Sequence, residues 1–319
     1  MLAVVCVGDG RVEVQERPDP VPAASEVVVR VKAAGLNGAD LLQARGVYPA
    51  PPGSAPDIPG LELAGEVEVV GPGVSRFAEG DKVMAVVGGG GQAERCAVHE
   101  RCLMPVPTGL EWTDAGGFPE AFTTAYDALF TQCGLAVGEH LLVHGAAGGV
   151  GTAAVQLAAL AGARVTATVR DPDLRGEVMR LGGPRGWVEA VDPAAYEDGG
   201  PYDVVLELVG GGNLAGNLRA LATGGRISII GVGGSGSRAE VDLLVLMAKR
   251  ARIHGSTLRA RPLEQKADAA RRIEHHVLPA LGAGELRVPV AAAFHLEEAA
   301  AAYERFAAGA KLGKVVLEI

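Results

Sequence analysis

A two-part α/β protein, a β-rich domain followed by a doubly wound parallel-sheet domain, is predicted by three features of the 319-residue sequence. Residues 1–118 break into short strand-like pieces divided by Gly and Pro, among them VVVRVKAAG, LAGEVEVVGPG and DKVMAVV. From Glu139 onward, apolar runs at 141–143, 163–169, 203–209 and 226–232 alternate with helical patterns or Gly-rich breaks, as parallel strands with crossover helices do; 188–191 is a weaker run of the same kind. Between the first two runs stands GAAGGVG, four glycines in seven residues.

Composition bounds the reading. With 48% apolar and 21% charged residues, the chain can bury a large core and is long enough for two domains. The first residues, MLAVVCVGDGRVEV, lack a basic lead-in, and no stretch approaches ~20 uninterrupted apolar residues, so neither a signal peptide nor a membrane span is expected. Cys6, Cys96, Cys102 and Cys133 lie far apart, which suits reduced thiols in a cytoplasm better than a disulfide framework. The net charge of −9 disfavours nucleic-acid or anionic-membrane partners, which need basic surface.

The glycine-rich stretch is read as a phosphate cradle. Leu141–Val143 form a strand, GAAGGVG a turn without Cβ crowding, and 150–161 a helix whose unpaired N–H groups and partial positive charge favour a diphosphate. Gly148 and Gly149 permit its close approach, Val150 opens the helix, and Gly151 lets the helix pack on the strand. A bare glycine pattern is weak evidence; a strand before it, a helix after it and a second strand beyond identify a dinucleotide site. Strand ends place ligands in such sheets, so Val209, Gly231 and Val232 are expected to line the ribose and nicotinamide. NAD-specific folds carry Asp or Glu at the end of the second strand. Counting about 20 residues from the turn selects Asp171, but RVTATV ends on Val169 and Asp171-Pro172 reads as an N-cap and first helical residue. Arg170 then faces the ribose 2′ position, where a guanidinium suits a phosphate; the cofactor expected is NADPH.

The tail repeats Leu296, Ala299, Ala300, Tyr303 and Phe306 at helical spacing, with Gly309 as a cap and VVLEI as a final strand, and is expected to return to the first domain. The domains are accordingly 1–118 with 279–319, and 119–278.

The run VHGAAGGVGTAAVQLA, with GLNGADLLQARGVYP, PDIPGLELAGEVEVVGPGV, AEGDKVMAVV and GKVVLEI, resembles the zinc-independent, zeta-crystallin-like quinone oxidoreductases of the medium-chain dehydrogenase/reductase superfamily. The segment IHGSTLRARPLEQK resembles the branch that includes the tumour-suppressor-inducible quinone oxidoreductase. This resemblance implies a GroES-like β domain holding both chain ends, a Rossmann domain, and a homodimer or homotetramer. It also implies hydride transfer from a reduced nicotinamide to a small-molecule quinone or conjugated carbonyl. Reduction of an activated C=C bond in an enone, alkenal or enoyl thioester is an alternative, and a non-catalytic NADPH-binding or RNA-binding crystallin-like role another.

By the same resemblance, the superfamily's zinc-binding Cys and His positions hold Asn37 and Leu61, leaving only Glu62, so no metal is expected. Asn37 and Tyr48 match positions near the nicotinamide and substrate, as catalytic candidates that orient the cofactor and contact the substrate oxygen. Their alternatives are a turn residue in Asn-Gly and an aromatic cover on a Pro-rich loop. Asp40 is expected to brace the following helix and Glu62 to act as a buried acceptor. Leu258 and Arg259 in GSTLRAR match a family segment facing the cleft, and Leu258 and Lys314 are taken as cofactor contacts, although a solvated or structural charge is the alternative for Arg259, Arg261 and Lys314. Thr124 either packs at the domain boundary or reaches the cofactor.

Overall fold

The computed structural model describes residues 1–184 and 186–319. The chain begins with β1 (Leu2–Gly8), β2 (Arg11–Glu16), β3 (Glu26–Gly35), α1 (Gly38–Ala44), β4 (Glu62–Val70), β5 (Lys82–Val86), β6 (Arg95–His99), β7 (Leu103–Pro105), α2 (Trp112–Gly117) and α3 (Pro119–Tyr126). It continues with β8 (His140–Val143), α4 (Gly149–Leu160), β9 (Arg164–Thr168), α5 (Pro172–Arg180), β10 (Trp187–Val191), β11 (Tyr202–Glu207), α6 (Leu214–Ala220), β12 (Leu221–Ile229), α7 (Leu243–Lys249) and β13 (Arg252–Gly255). It closes with α8 (Leu263–His276), α9 (Leu278–Gly282), β14 (Val290–His295), α10 (Ala299–Ala307) and β15 (Lys314–Glu318).

These elements form two units. The first comprises Met1–Thr123, Leu258–Gly309 and Lys314–Ile319, the second Thr124–Thr257 and Ala310–Gly313. In the first, a GroES-like β-rich unit, a seven-stranded sheet runs β14-β15-β3-β4-β5-β7, with β6 also paired to β3, and β1 and β2 form a separate hairpin. Val27, Val29 and Val31 of β3, Leu63 and Val67 of β4, and Val83 and Ala85 of β5 turn to one core, as alternation in a strand requires. Val4, Leu36, Val315 and Leu317 form a second core with Leu296, Ala299, Ala302 and Tyr303. The tail helix therefore buries Ala302 where the sequence reading has Ala300, which is exposed.

The second unit holds six parallel strands in the order β10-β9-β8-β11-β12-β13. Counted within the unit this is 3-2-1-4-5-6, the doubly wound Rossmann order. Strand β13 is absent from the sequence reading because four residues, RIHG, carry too little alternation to register.

The boundaries differ from those expected at 118 and 278. The first unit runs on to Thr123, and Leu258 to Leu278 fold with it and not with the second unit. Helix α8 decides this: it buries Ala267, Ala270 and Ile273 and packs on β5 and β7. Ion pairs Arg101–Glu264 and Arg76–Glu274 tie its polar side to the same unit.

Helix α2 lies against β3 so closely that a Cβ at Gly116 would fall 2.6 Å from the Ala33 Cβ and 2.7 Å from its carbonyl carbon. Both obstacles are fixed to backbone, so a methyl cannot be absorbed by a rotamer change. Gly116→Ala should cost about 1–3 kcal/mol, read as a lowered urea midpoint with an unchanged slope.

Candidate functional site

In the second unit, β8 delivers its carboxyl end into the glycine turn. Gly145 takes a φ of 67°, a left-handed conformation that suits glycine, and Gly148 is the N-cap of α4 with no side-chain cap. Gly148 shares a bridge with Gly313, whose N–H donates to the Ala147 carbonyl at 2.8 Å, so the turn is tied down from behind. Thr152 N–H begins the intrahelical ladder on the Gly148 carbonyl at 2.8 Å, which leaves the Gly149, Val150 and Gly151 N–H groups without intrahelical acceptors. The helix therefore starts at Gly149, one residue before the position expected.

The glycines have different uses. A Cβ on Gly148 would meet nothing nearer than the Gly145 carbonyl oxygen at 3.4 Å, so the space before the helix is open. A Cβ on Gly151 would lie 2.5 Å from that oxygen and 2.6 Å from the Ala146 Cα; Gly151 packs on the turn itself and not on a strand. An uncapped helix N-terminus with no acidic residue in its first turn and open space in front of it fits a dinucleotide diphosphate.

Strand β9 ends at Thr168. Val169 is buried, donates its N–H to the Val191 carbonyl and accepts from Arg175 Nε, so no carboxylate stands at the usual ribose position. Arg170 is exposed directly after it. Asp171 is the N-cap of α5, its Oδ1 accepting the Asp173 N–H at 3.1 Å, and Pro172 is the first helical residue.

Val209, Gly231 and Val232 lie beyond the strands expected to end on them, since β11 stops at Glu207 and β12 at Ile229. Glu207 causes both departures. Its Oε1 accepts the Val209 and Gly210 N–H groups at 2.7 and 2.9 Å, and its carbonyl accepts those of Ile230 and Gly231. The backbone thereby peels away from the ladder. Gly231 is needed where it stands, since a Cβ would fall 2.4 Å from the Leu208 carbonyl oxygen. Thr124 is buried at the end of α3.

In the first unit, Asn37, one of the two residues matched to catalytic positions, meets Lys314 at one buried ion pair. Lys314 Nζ lies 2.5 Å from Glu62 Oε1, 2.7 Å from Asn37 Oδ1 and 2.8 Å from the Leu36 carbonyl. Asn37 Nδ2 donates to the same Glu62 oxygen at 2.9 Å, and the Glu120 N–H donates to Glu62 Oε2 at 2.8 Å. Lys314 is 3% and Glu62 0% exposed. Gly35 makes room for the carboxylate: a Cβ there would fall 2.3 Å from Glu62 Oε1. Lys314, placed by sequence among the cofactor contacts, thus has its three ammonium protons directed at three acceptors inside its own unit. It is also the first residue of β15 and does not precede it.

Asn37 is the N-cap of α1, and Asp40 accepts its N–H at 2.8 Å and that of Gly60 at 3.0 Å. Burial pushes the Asp40 carboxyl up to about 6, against the pull of those two bonds. A zinc ion does not fit this donor set. The thiol and imidazole positions hold an amide and Leu61, and an ammonium already occupies the one carboxylate.

Tyr48 is half-buried, with the Arg259 guanidinium 5.0 Å from its ring centre. Arg259 is 2% exposed; its Nη1 donates to the Tyr48 carbonyl at 2.9 Å, its Nε to the Gly88 carbonyl at 2.8 Å and its Nη2 to Gln43 Oε1. Burial holds this guanidinium below the usual arginine range. Arg259 therefore fixes the loop that carries Tyr48, a role no signal in GSTLRAR announces, because a lone arginine ordinarily reads as solvated charge. Leu258, the neighbour expected at the cofactor, is buried in the first unit, where it lines a small cavity with Val86, Met104 and Thr123.

Removing one partner of a buried pair strands the other. Lys314→Met should lower unfolding stability by about 3–5 kcal/mol, and Glu62→Gln added to it should restore part of the loss, a coupling that denaturant titration of the double-mutant cycle measures.

Comparison with known proteins places the fold. Residues 23–131 match the alcohol dehydrogenase GroES-like domain, and residues 186–317 the zinc-binding dehydrogenase domain. Rat (Rattus norvegicus) quinone oxidoreductase is 30% identical over 307 residues, 93% of this chain and 90% of that protein. A phenolphthiocerol/phthiocerol polyketide synthase component of Mycobacterium tuberculosis is 35% identical over 306 residues, which cover 93% of this chain but only 14% of that much longer protein. A solved NAD-dependent alcohol dehydrogenase is 30% identical, with a TM-score of 0.86 and 100% of each chain covered. With two domain matches in sequence and a near full-length relative on the same fold, the chain belongs to the nicotinamide-dependent oxidoreductases of the medium-chain dehydrogenase/reductase superfamily, in its quinone oxidoreductase family.

Proposed function

We propose that this oxidoreductase uses NADPH to reduce a quinone without a catalytic metal. The observation that carries the cofactor reading is the turn between β8 and β9: an uncapped α4 N-terminus with open space before it, then Val169-Arg170 where a ribose-binding carboxylate would stand. Bound reduced nicotinamide supplies the hydride. Gly149 and Val150 present backbone N–H groups to the diphosphate, Gly148, whose own N–H donates to the Gly145 carbonyl at 3.1 Å, leaves room for its approach by having no side chain, and Arg170 pairs with the 2′-phosphate. Val209, Gly231 and Val232 border the ribose and nicotinamide, with Thr124 a further contact. Tyr48, on the loop fastened by Arg259, donates a hydrogen bond to the substrate carbonyl oxygen. Asn37 is held rigidly by Lys314 and Glu62 as an orienting amide. The solved relative named for NAD makes the cofactor preference a point for direct measurement.

A second reading is the reduction of an activated C=C bond, favoured by the 35% identity to a polyketide synthase, higher than the 30% to rat quinone oxidoreductase. Homodimerisation belongs to the first reading and is supported in the second unit. There β13 is an edge strand, and Leu243, Leu244 and Met247 of α7 are 64%, 78% and 70% exposed. A cytoplasmic setting is supported by four free cysteines, and no helix among the described residues is long and apolar enough to cross a membrane.

Titration with both cofactors should give a preference for NADPH, and Arg170→Ala should weaken NADPH by about 1.5–3 kcal/mol while NADH hardly changes. Equal losses for the two cofactors, or a preference for NADH, would take Arg170 out of the phosphate site. NADPH oxidation against ortho-quinones, para-quinones, enones and enoyl thioesters should show turnover with quinones, and Tyr48→Phe should lower it by roughly the worth of one hydrogen bond, ~0.5–1.5 kcal/mol, at unchanged NADPH affinity. Turnover confined to enoyl thioesters would favour the second reading, and binding without any turnover a non-catalytic role.

A further inference from the structure

Beneath the glycine turn of the second unit lies a polar network that joins Glu207 to His144, Thr168 and Asn217, three residues with no role above. His144, Thr168, Asn217 and Glu207 are each 3% exposed or less. His144 Nε2 lies 2.7 Å from Asn217 Oδ1, and His144 Nδ1 lies 3.2 Å from Thr168 Oγ1. Asn217 Nδ2 donates to Glu207 Oε2 at 2.9 Å, and the Gly145 N–H donates to Thr168 Oγ1 at 3.4 Å.

The donor and acceptor roles follow by elimination. An amide oxygen only accepts, so His144 Nε2 must carry a proton. Thr168 Oγ1 accepts from Gly145 and has one proton to give, which His144 Nδ1 takes when the ring is neutral. The bonds then run in one direction, from the Gly145 N–H through Thr168, His144 and Asn217 to the Glu207 carboxylate. Glu207 also accepts the Val209 and Gly210 N–H groups and the Asn213 amide. One end of the chain is the first glycine of the diphosphate turn; the other is the loop that leaves β11.

We infer that His144 and Asn217 are positioning residues of the dinucleotide site, holding the glycine turn and the 208–210 loop in register through a hydrogen-bond chain that requires a neutral imidazole. The inference rests on the cofactor reading above. A second proton on His144 turns Nδ1 into a donor aimed at Thr168 Oγ1. That oxygen would then face two N–H donors, and its own proton would lose its acceptor.

The groups facing the ring are few. Glu207 of β11 approaches to 3.9 Å and favours the imidazolium; Asn217 of α6 accepts from it, Thr168 of β9 donates to it, and the Tyr196 ring stands edge-on at 4.7 Å. Burial outweighs the Glu207 charge and keeps His144 below the ordinary 6.5. A depressed value means that the unfolded chain binds the proton more readily. The contribution of this site to stability is therefore complete above pH 6.5 and is lost as pH falls through the lower, folded value.

The test uses His144→Gln, which retains a donor toward Asn217 but cannot be protonated. NADPH dissociation constants for wild type and variant should agree within about threefold at pH 7.5 and diverge by about fivefold or more once the pH falls below the folded value of His144, which nitrogen-15 NMR titration locates, with the wild type weakening further. Titration of the NADPH phosphate is common to both proteins and cancels in the ratio. Nitrogen-15 NMR should show the neutral Nε2–H tautomer of His144 at pH 7.5. Parallel pH profiles, an Nδ1–H tautomer, or an imidazolium at neutral pH would overturn the inference; a purely structural role would shift Tm and leave the ratio flat. If the wild type fails to bind NADPH at any pH, the cofactor reading falls, and amide exchange decides the chain on its own. Below the folded value of His144, Gly145, Val209 and Gly210 should exchange faster in wild type than in His144→Gln, and equal rates would overturn it.

Discussion

The bond between Lys314 and Glu62 is the constraint on which the first unit depends. Two charges nearly removed from water bear a desolvation cost that only close approach and further hydrogen bonds can offset, and the surroundings supply both. Around it, the first residue of β15, the first residue of β4, the N-cap of α1 and the first turn of α3 converge on a few atoms. The requirement reaches into the backbone, since Gly35 has no side chain because the carboxylate needs that space. Asn37, whatever it offers a ligand, is held in place by a cation and an anion at once.

The second unit answers a similar demand with hydrogen bonds in place of an ion pair. Glu207 is a charged acceptor inside a parallel sheet, and it is tolerated because backbone and side-chain N–H groups surround it. The cost appears locally as shorter strands. The gain is that the loops after β11 and β12 both take their geometry from one residue, Glu207, which fixes where both strands end.

Much of this was legible in the sequence because it depends on local pattern. Alternation in β3 and β4, the apolar runs of β8, β9 and β11, the glycine turn and the Asp171-Pro172 start of α5 each carry their signal within a few residues. The bracing roles of Asp40 and Glu62 came through the resemblance, which sets both beside the positions where a zinc would be held. What escaped depends on partners distant along the chain. Arg259 meets Gly88, Tyr48 and Gln43 across more than a hundred residues, and nothing in its neighbours distinguishes it from a surface arginine. Helix α8 was assigned to the wrong unit for the same reason: its amphipathic pattern shows that one face is buried but not against which sheet. His144 was hidden by its position beside the glycines, which draw attention to the backbone and away from the ring.

The course of the chain through the two units bears on how the protein is made. The six strands of the second unit fall within the continuous span Thr124–Thr257, so its sheet has all its strands as soon as that span has been synthesised. The first unit has no such autonomy. Its β15 lies between β14 and β3, so the larger sheet lacks an interior member until Lys314–Glu318 emerge. During synthesis the flank of β3 that β15 will cover is an open edge, and the Glu62 carboxylate has no counter-cation, long after the residues around them exist. Of the two units, the one whose synthesis starts first is therefore the one that completes last, and in that interval its exposed strand edge is the surface most in need of protection from a neighbouring chain.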